Sequence, residues 1–207
     1  PQAIIHEAWE TMLAQQVIGS TTVCLATLDV SRSQLAAANI GDCGVLVLRA
    51  MEVSTMGSLI PAQEIHNELQ VQYRSTQQLH AFNQPFQLGF SPTDPDLFET
   101  PVDAVLMRVP VEAGDIIVMA SDGLFDNVLE VDIMNTVETW LSGVSDIPTA
   151  EDCEDCARLL AEQAKEASMD TETDSPFAVL AVENDILWSG GMPDDISVIV
   201  SYVSPAG

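Results

Sequence analysis

The 207-residue sequence predicts an α+β fold, with antiparallel strands in succession and helices outside them. Three observations carry this expectation. Short apolar runs of strand-forming residues recur at 21–28, 35–40, 45–48, 69–74, 104–109, 115–121 and 196–202. A polar turn at 29–33 joins the first two, as in an antiparallel hairpin. Helical spacing is confined to a few segments, so strands and helices do not alternate strictly as in a parallel β-α-β sheet. A chain of this length buries a sizeable core and is read as one domain, residues 1–207.

In order, Ile5, Ala8, Trp9, Met12, Leu13 and Gln16 recur at steps of three and four, which predicts an amphipathic helix over 2–17 stopped by Gly19 and Ser20. His6 lies on it without a second ligand-type residue at ligand spacing. The hairpin follows, and Gly41-Asp42-Cys43-Gly44 interrupts the next apolar run. Two glycines around an acid predict a tight turn or bulge that aims Asp42 out of the ladder. Residues 50–68 lack a clear period and are expected to be a surface loop with at most a short helix, His66 included. His80 stands before Phe82-Asn83-Gln84-Pro85-Phe86, where a satisfied structural histidine is the common outcome and a substrate or metal contact the functional one. Residues 91–96 read as a loop. Thr149-x-x-Asp152 is a capping-box pattern before Cys156, Leu159, Leu160 and Ala164, a helix covering a sheet face, and 175–180 open another helix.

Two stretches concentrate carboxylates at strand mouths. The apolar run 115–121 ends at Ser121-Asp122-Gly123-Leu124-Phe125-Asp126-Asn127, so a buried strand delivers Asp122 to its end and a single turn brings Asp126 near it. Gly123 is expected to serve a sharp turn, with positive φ as one reason for it. Neighbouring carboxylates repel unless a cation lies between them, and a hard divalent ion with oxygen ligands is the simplest one. The plainer alternative is that Asp122 caps a helix over 128–140. The second stretch, Gly190-Gly191-Met192-Pro193-Asp194-Asp195, opens into the closing strand. Adjacent residues of an extended chain point to opposite faces, so one of the two acids joins Asp122, and Asp194 is the nearer to the turn.

The order Asn39-Ile40-Gly41-Asp42-Cys43-Gly44, Ser121-Asp122-Gly123-Leu124-Phe125-Asp126-Asn127 and Gly190-Gly191-Met192-Pro193-Asp194-Asp195-Ile196-Ser197 resembles the metal-dependent serine/threonine protein phosphatases of type 2C. Asn83-Gln84-Pro85-Phe86-Gln87-Leu88 and Ser175-Pro176-Phe177-Ala178 resemble the branch of that family common in mitochondria and plastids. The resemblance runs from about residue 20 to 202. It implies a two-layer antiparallel β-sandwich flanked by helices, and Mg or Mn as cofactor, two or more ions in the intact enzyme. It further implies hydrolysis of phosphoserine and phosphothreonine in phosphoprotein substrates by a water held between two metals. By resemblance Asp122 and Asp194 are direct metal ligands, while Asp42 and Asp126 shape a further cation site; no other catalytic side chain is implied. The family's Asp-Gly-x-Gly-Gly motif, whose aspartate bridges the metals, is absent, and the only Asp-Gly pair is Asp122-Gly123. The chain therefore reads as the later part of a longer phosphatase, itself impaired. The alternative is a non-catalytic pseudophosphatase acting as a regulatory or assembly subunit. Cys43 stands where the family usually has Ser.

Composition excludes several classes. With 32 acidic against 6 basic residues the formal charge is -26, which disfavours nucleic acid and anionic membrane surfaces. A solvated surface is the plain reading of that charge and a basic protein partner the functional one. Lys165 is the only lysine and follows no glycine-rich loop, so no P-loop is present. No G-x-S-x-G occurs. A haloacid dehalogenase reading of Asp122-Gly123-Leu124-Phe125-Asp126 requires an aspartate nucleophile where Ala120 stands. The best candidate for a membrane span, 104–120, is broken by Arg108, Glu112 and Asp115. Four cysteines do not make a disulfide framework and point to a reducing, intracellular compartment. The branch resemblance adds mitochondrion or plastid, with no targeting segment visible. Cys153 and Cys156 sit among acids on a helix and are read as buried or idle thiols.

Overall fold

Strand β4 (Gly44–Ser54) and strand β10 (Ile116–Ala120) alternate between two apolar cores, and that alternation sets the architecture. Val45, Val47 and Ile117 face one core, and Leu46, Leu48, Ile116, Val118 and Ala120 face another. Over residues 45–48 and 116–120 the two strands are apolar on both faces because each face is covered. The structure is a computed structural model and describes residues 1–54, 65–94 and 96–205.

The larger sheet has the order β11-β10-β4-β5, all antiparallel, with β5 at Ile65–Arg74 and β11 at Val198–Tyr202. The smaller is β2-β3-β9, also antiparallel, formed by Val23–Asp29, Gln34–Ile40 and Val105–Pro110. Leu35, Ala37, Met107 and Val109 meet Val45, Val47 and Ile117 between the two sheets. On the outer side of the larger sheet lie α2 (Asp122–Phe125), α3 (Glu130–Gly143) and α4 (Ala150–Met169), which bury Leu124, Ile133, Val137, Cys156 and Leu160 against it. On the outer side of the smaller sheet, α1 (Gln2–Ala14) packs Ile5 onto Ala38 and Ile40. The expected antiparallel sandwich with helices outside is the observed fold.

Two further ribbons are small. β1 (Gly19–Thr21) pairs with β8 (Leu88–Phe90), and β6 (Leu79–Ala81) with β7 (Gln84–Pro85). The last helix, α5, is Pro176–Glu183 with Ser175 as its cap. Thr149 and Asp152 form the expected capping box, with Thr149 Oγ1 accepting from the Asp152 amide at 3.2 Å. Cys153 and Cys156 face inward from α4, and burial pushes the Cys156 thiol up to about 12.

Three expectations are corrected. Residues 50–68 are not simply a loop, because β4 and β5 pair as far as Ser54 and Ile65; residues 55–64 lie outside the described residues. Their weak period hid a hairpin whose register shifts at Val47/Leu48. The first helix stops at Ala14, with Gln16 at φ 52, and Gly19 and Ser20 belong to a strand. The helix expected from 128 begins at Glu130 behind Leu129, which supplies no side-chain cap, so Asp122 does not cap it. Among the described residues no helix is long and apolar enough to cross a membrane.

Asp115 is fully buried where the turn after β9 enters β10. Its carboxylate takes a two-pronged contact from Arg49 of β4, Nε at 2.7 Å and Nη2 at 2.8 Å, and accepts the Glu112 amide at 2.8 Å. Arg49 also reaches Glu112 at 2.9 Å. This cluster holds the end of the sandwich opposite the Asp122 end of β10.

Candidate metal centre

Strand β10 lies between β4 and β11, and its carboxyl end carries Asp122 past Ser121 into the single turn of α2. The turn returns Asp126 beside it, with the Asp126 amide on the Asp122 carbonyl at 2.7 Å. Gly123 is needed for proximity, since an added Cβ would stand 2.5 Å from the Asp195 carbonyl oxygen. Positive φ, offered as one reason for it, is not found there.

Asp42 arrives from the other sheet. β3 ends at Ile40 and β4 starts at Gly44, so the intervening turn passes from the smaller sheet to the larger. Gly41 makes it at φ 105, held by its carbonyl accepting from Asn39 Nδ2 at 2.9 Å and from the Gln78 amide at 2.9 Å. Asp42 is only 6% exposed. Asp194 comes from the closing turn, where Gly190 has φ 80 and Gly191 lies against the end of α4.

Two latches hold that turn to the end of β10. The buried side chain of Asn127 donates from Nδ2 to the Gly123 carbonyl at 3.0 Å and to the Met192 carbonyl at 2.8 Å, and its Oδ1 accepts the Met192 amide at 2.8 Å. Ser121 Oγ accepts the Ser197 amide at 3.1 Å and donates to the Asp195 carbonyl at 3.1 Å. Sequence reasoning assigned Asn127 no role. Its partner lies 65 positions away, and nothing local signals such a contact. Asn127→Ala strands these backbone groups and is expected to cost about 2 kcal/mol. A urea titration with an unchanged midpoint would contradict that.

Asp122 and Asp194 line one cavity of about 480 Å³, together with Thr22, Cys43, Ser121 and Ser197. The four acids feel one another electrostatically. Burial, then the charges of Asp122 and Asp194, push Asp42 up to about 6. Burial, then the charges of Asp122, Asp42 and Asp194, push Asp126 up to about 7. Asp122 is raised by burial and then by Asp194. Asp194 and Asp195 are both exposed and both line that cavity, and Asp195 also contributes its backbone carbonyl to the Ser121 latch.

Arg74, another residue sequence reasoning passed over, sits beside the cluster. Its guanidinium lies 3.7 Å over the Phe125 ring, and its Nη1 is buried against Gly44 with no hydrogen-bond partner among the described residues. Burial lowers its pKa, against the opposing charges of Glu130 and Asp126. His80 is exposed, with Nε2 at 2.7 Å from Glu99 and its ring stacked on Phe86 at 4.2 Å.

The donor chemistry suits a hard divalent cation, being all carboxylate, partly dehydrated and mutually repelling. Donor number falls short. Among the described residues no group of three or more His, Cys, Asp or Glu side chains could hold a metal ion. The four acids are neighbours, not a closed ligand shell.

The raised values carry a stability consequence. A carboxylate that binds its proton more tightly when folded makes the native state hold more protons than the unfolded chain, so stability falls as pH rises. For Asp42 and Asp126 the window runs from the ordinary carboxylate value near 3.8 to about 6 and about 7. Asp126→Asn is therefore expected to stabilise the chelator-treated protein more at pH 8 than at pH 4. Equal gains at both pH values in paired urea titrations would refute the repulsion.

The chain is 35% identical to the protein phosphatase PTC7 homolog of Homo sapiens over 99% of its own length and 61% of that protein's. It is 38% identical to the PTC7 homolog fig of Drosophila virilis, over 97% of the chain and 59% of that protein. It spans about three-fifths of the length of these curated relatives. Among solved structures, the photosystem II phosphatase PBCP superposes with a TM-score of 0.74 at 28% identity, covering 99% of the chain and 71% of that protein. The catalytic domain of the serine/threonine protein phosphatase PstP, solved with two manganese ions, shares the fold at a TM-score of 0.51 and 18% identity, covering 99% and 68%. No family model matches the chain.

Proposed function

From its membership of the type 2C protein phosphatase family, we propose that the intact protein hydrolyses phosphoserine and phosphothreonine in protein substrates with Mg or Mn bound at the acidic cluster. The observation that carries this reading is that Asp42, Asp122, Asp126 and Asp194 come from three separate stretches, with burial and neighbouring carboxylate charge raising the proton affinity of Asp42, Asp122 and Asp126. Such an arrangement costs stability, and a divalent cation offsets that cost. Asp122 and Asp194 would hold one ion, and Asp42 and Asp126 would contribute to a further cation site. When bound, divalent ions supply Lewis acidity toward phosphate oxygens and lower the pKa of water.

The chain's own residues have the supporting tasks. The Asn127 and Ser121 latches keep the Asp194 turn against the end of β10, so the two candidate ligands cannot drift apart. Gly41 and Gly123 let backbone approach closely enough to bring Asp42 and Asp122 inward. Nothing favours the non-catalytic alternative.

Since the four acids do not complete a ligand shell, the 207-residue chain by itself is expected to be slower than the full-length protein by about 100-fold or more, roughly 3 kcal/mol of barrier. The assay is phosphate release from a phosphothreonine peptide at matched Mn. Equal rates would show that nothing beyond these residues is needed, and an inactive full-length protein would overturn the enzymatic reading.

A further inference from the structure

We propose that the outer face of α5 and the loop after it form a docking surface for a basic, amphipathic segment of a partner protein. Helix α5, Pro176–Glu183, has no polar face. Phe177, Ala178 and Ala181 are buried, while Val179, Leu180 and Val182 are exposed. A helix that is apolar all round is stable where both sides are covered, and here one side is open. The loop enlarges that side with Ile186, Leu187 and Trp188, and Leu187 is 99% exposed.

The patch rests on a firm base. Trp188 meets Phe177 edge-on at 5.4 Å, Phe177 meets Phe82 at 5.0 Å, and Trp188 Nε1 donates to the Gly191 carbonyl at 3.2 Å. Leu180 also lines a mixed cavity of about 330 Å³ near the start of α3, with Leu129 and Phe125 beside Arg74, Asp126 and Glu130. Exposed apolar surface of this kind, rimmed by charge, marks interaction sites.

Charge selects the occupant. The rim carries Asp174, Glu183, Asp185 and Glu130, all exposed. Arg74, the cation in the shared cavity, is engaged with Phe125 and Glu130. A second copy would bring the same acidic rim and a formal charge of -26 against it. Nucleic acid and anionic bilayers are repelled for the same reason. A segment with an apolar stripe flanked by Lys or Arg matches both the patch and its rim, and helix-in-groove recognition works in this way.

The test uses the full-length protein and a fluorescein-labelled 18-residue amphipathic Leu/Lys peptide, with two controls: the same composition scrambled, and a Leu/Glu counterpart. The amphipathic Leu/Lys peptide is expected to bind saturably. Val179→Ser with Val182→Ser is expected to weaken it at least tenfold, and Leu187→Ser, in the loop, severalfold. Glu183→Lys with Asp185→Lys is expected to weaken it as well, with circular dichroism unchanged in every variant. Equal binding of the scrambled or Leu/Glu peptide would overturn the proposal. So would affinity unaltered by the serine substitutions, or a concentration-dependent dimer that those substitutions abolish.

Discussion

Asp115→Ala is expected to remove about 3–5 kcal/mol of folding stability, a large share of what a domain of this size possesses. Asp115 is fully buried and accepts two hydrogen bonds from Arg49 and one from the Glu112 amide. Removing it leaves a guanidinium that is only 20% exposed facing a void, with Glu112 at the rim as its remaining carboxylate. The loss of the pair itself matters less than the uncompensated charge and donors left behind. Asp115→Asn keeps one acceptor oxygen and should fall between the two. Urea midpoints at constant slope check this, and a loss below about 1 kcal/mol for the alanine variant would show that Arg49 escapes to solvent.

Asp122→Asn in the full-length protein is expected to lower phosphothreonine hydrolysis by about a thousandfold, roughly 4 kcal/mol of barrier, without lowering the melting temperature of the chelator-treated protein. The two readouts move independently for a physical reason. A carboxylate that holds a divalent ion is indispensable to chemistry, yet in the absence of the ion its charge raises the proton affinity of Asp42 and Asp126 and strains the fold. A variant that lost activity and stability together would mark Asp122 as a structural residue instead. A variant with near-normal turnover would remove it from the site altogether.

The candidate acids stood out in the sequence because their surroundings are written locally. Asp122 follows an apolar strand, Asp194 precedes one, and glycines stand beside both; such punctuation survives in one dimension. The sandwich was legible for the same reason, since β2 and β3 adjoin in sequence and pair in register from Val23↔Ile40 to Asp29↔Gln34. What escaped was contact between distant segments. Asn127 reaches Met192 across 65 positions, and Arg74 lies over Phe125 without any signal in its own neighbourhood. The β4–β5 hairpin escaped for a different reason. A register shift at Val47/Leu48 breaks strict alternation, so the strands beyond it lose the period that identifies strands.

The turn from Gly41 to Cys43 has a mechanical consequence. It joins a strand of one sheet directly to a strand of the other, and Asp42 stands at its middle. Asp42 is tethered to both layers, two residues past Ile40 of the smaller sheet and two before Gly44 of the larger, whose partner in β10 is Ala120, two residues before Asp122. A repacking of the inter-sheet core around Leu35, Val47 and Met107 is therefore expected to reach Asp42 through this turn.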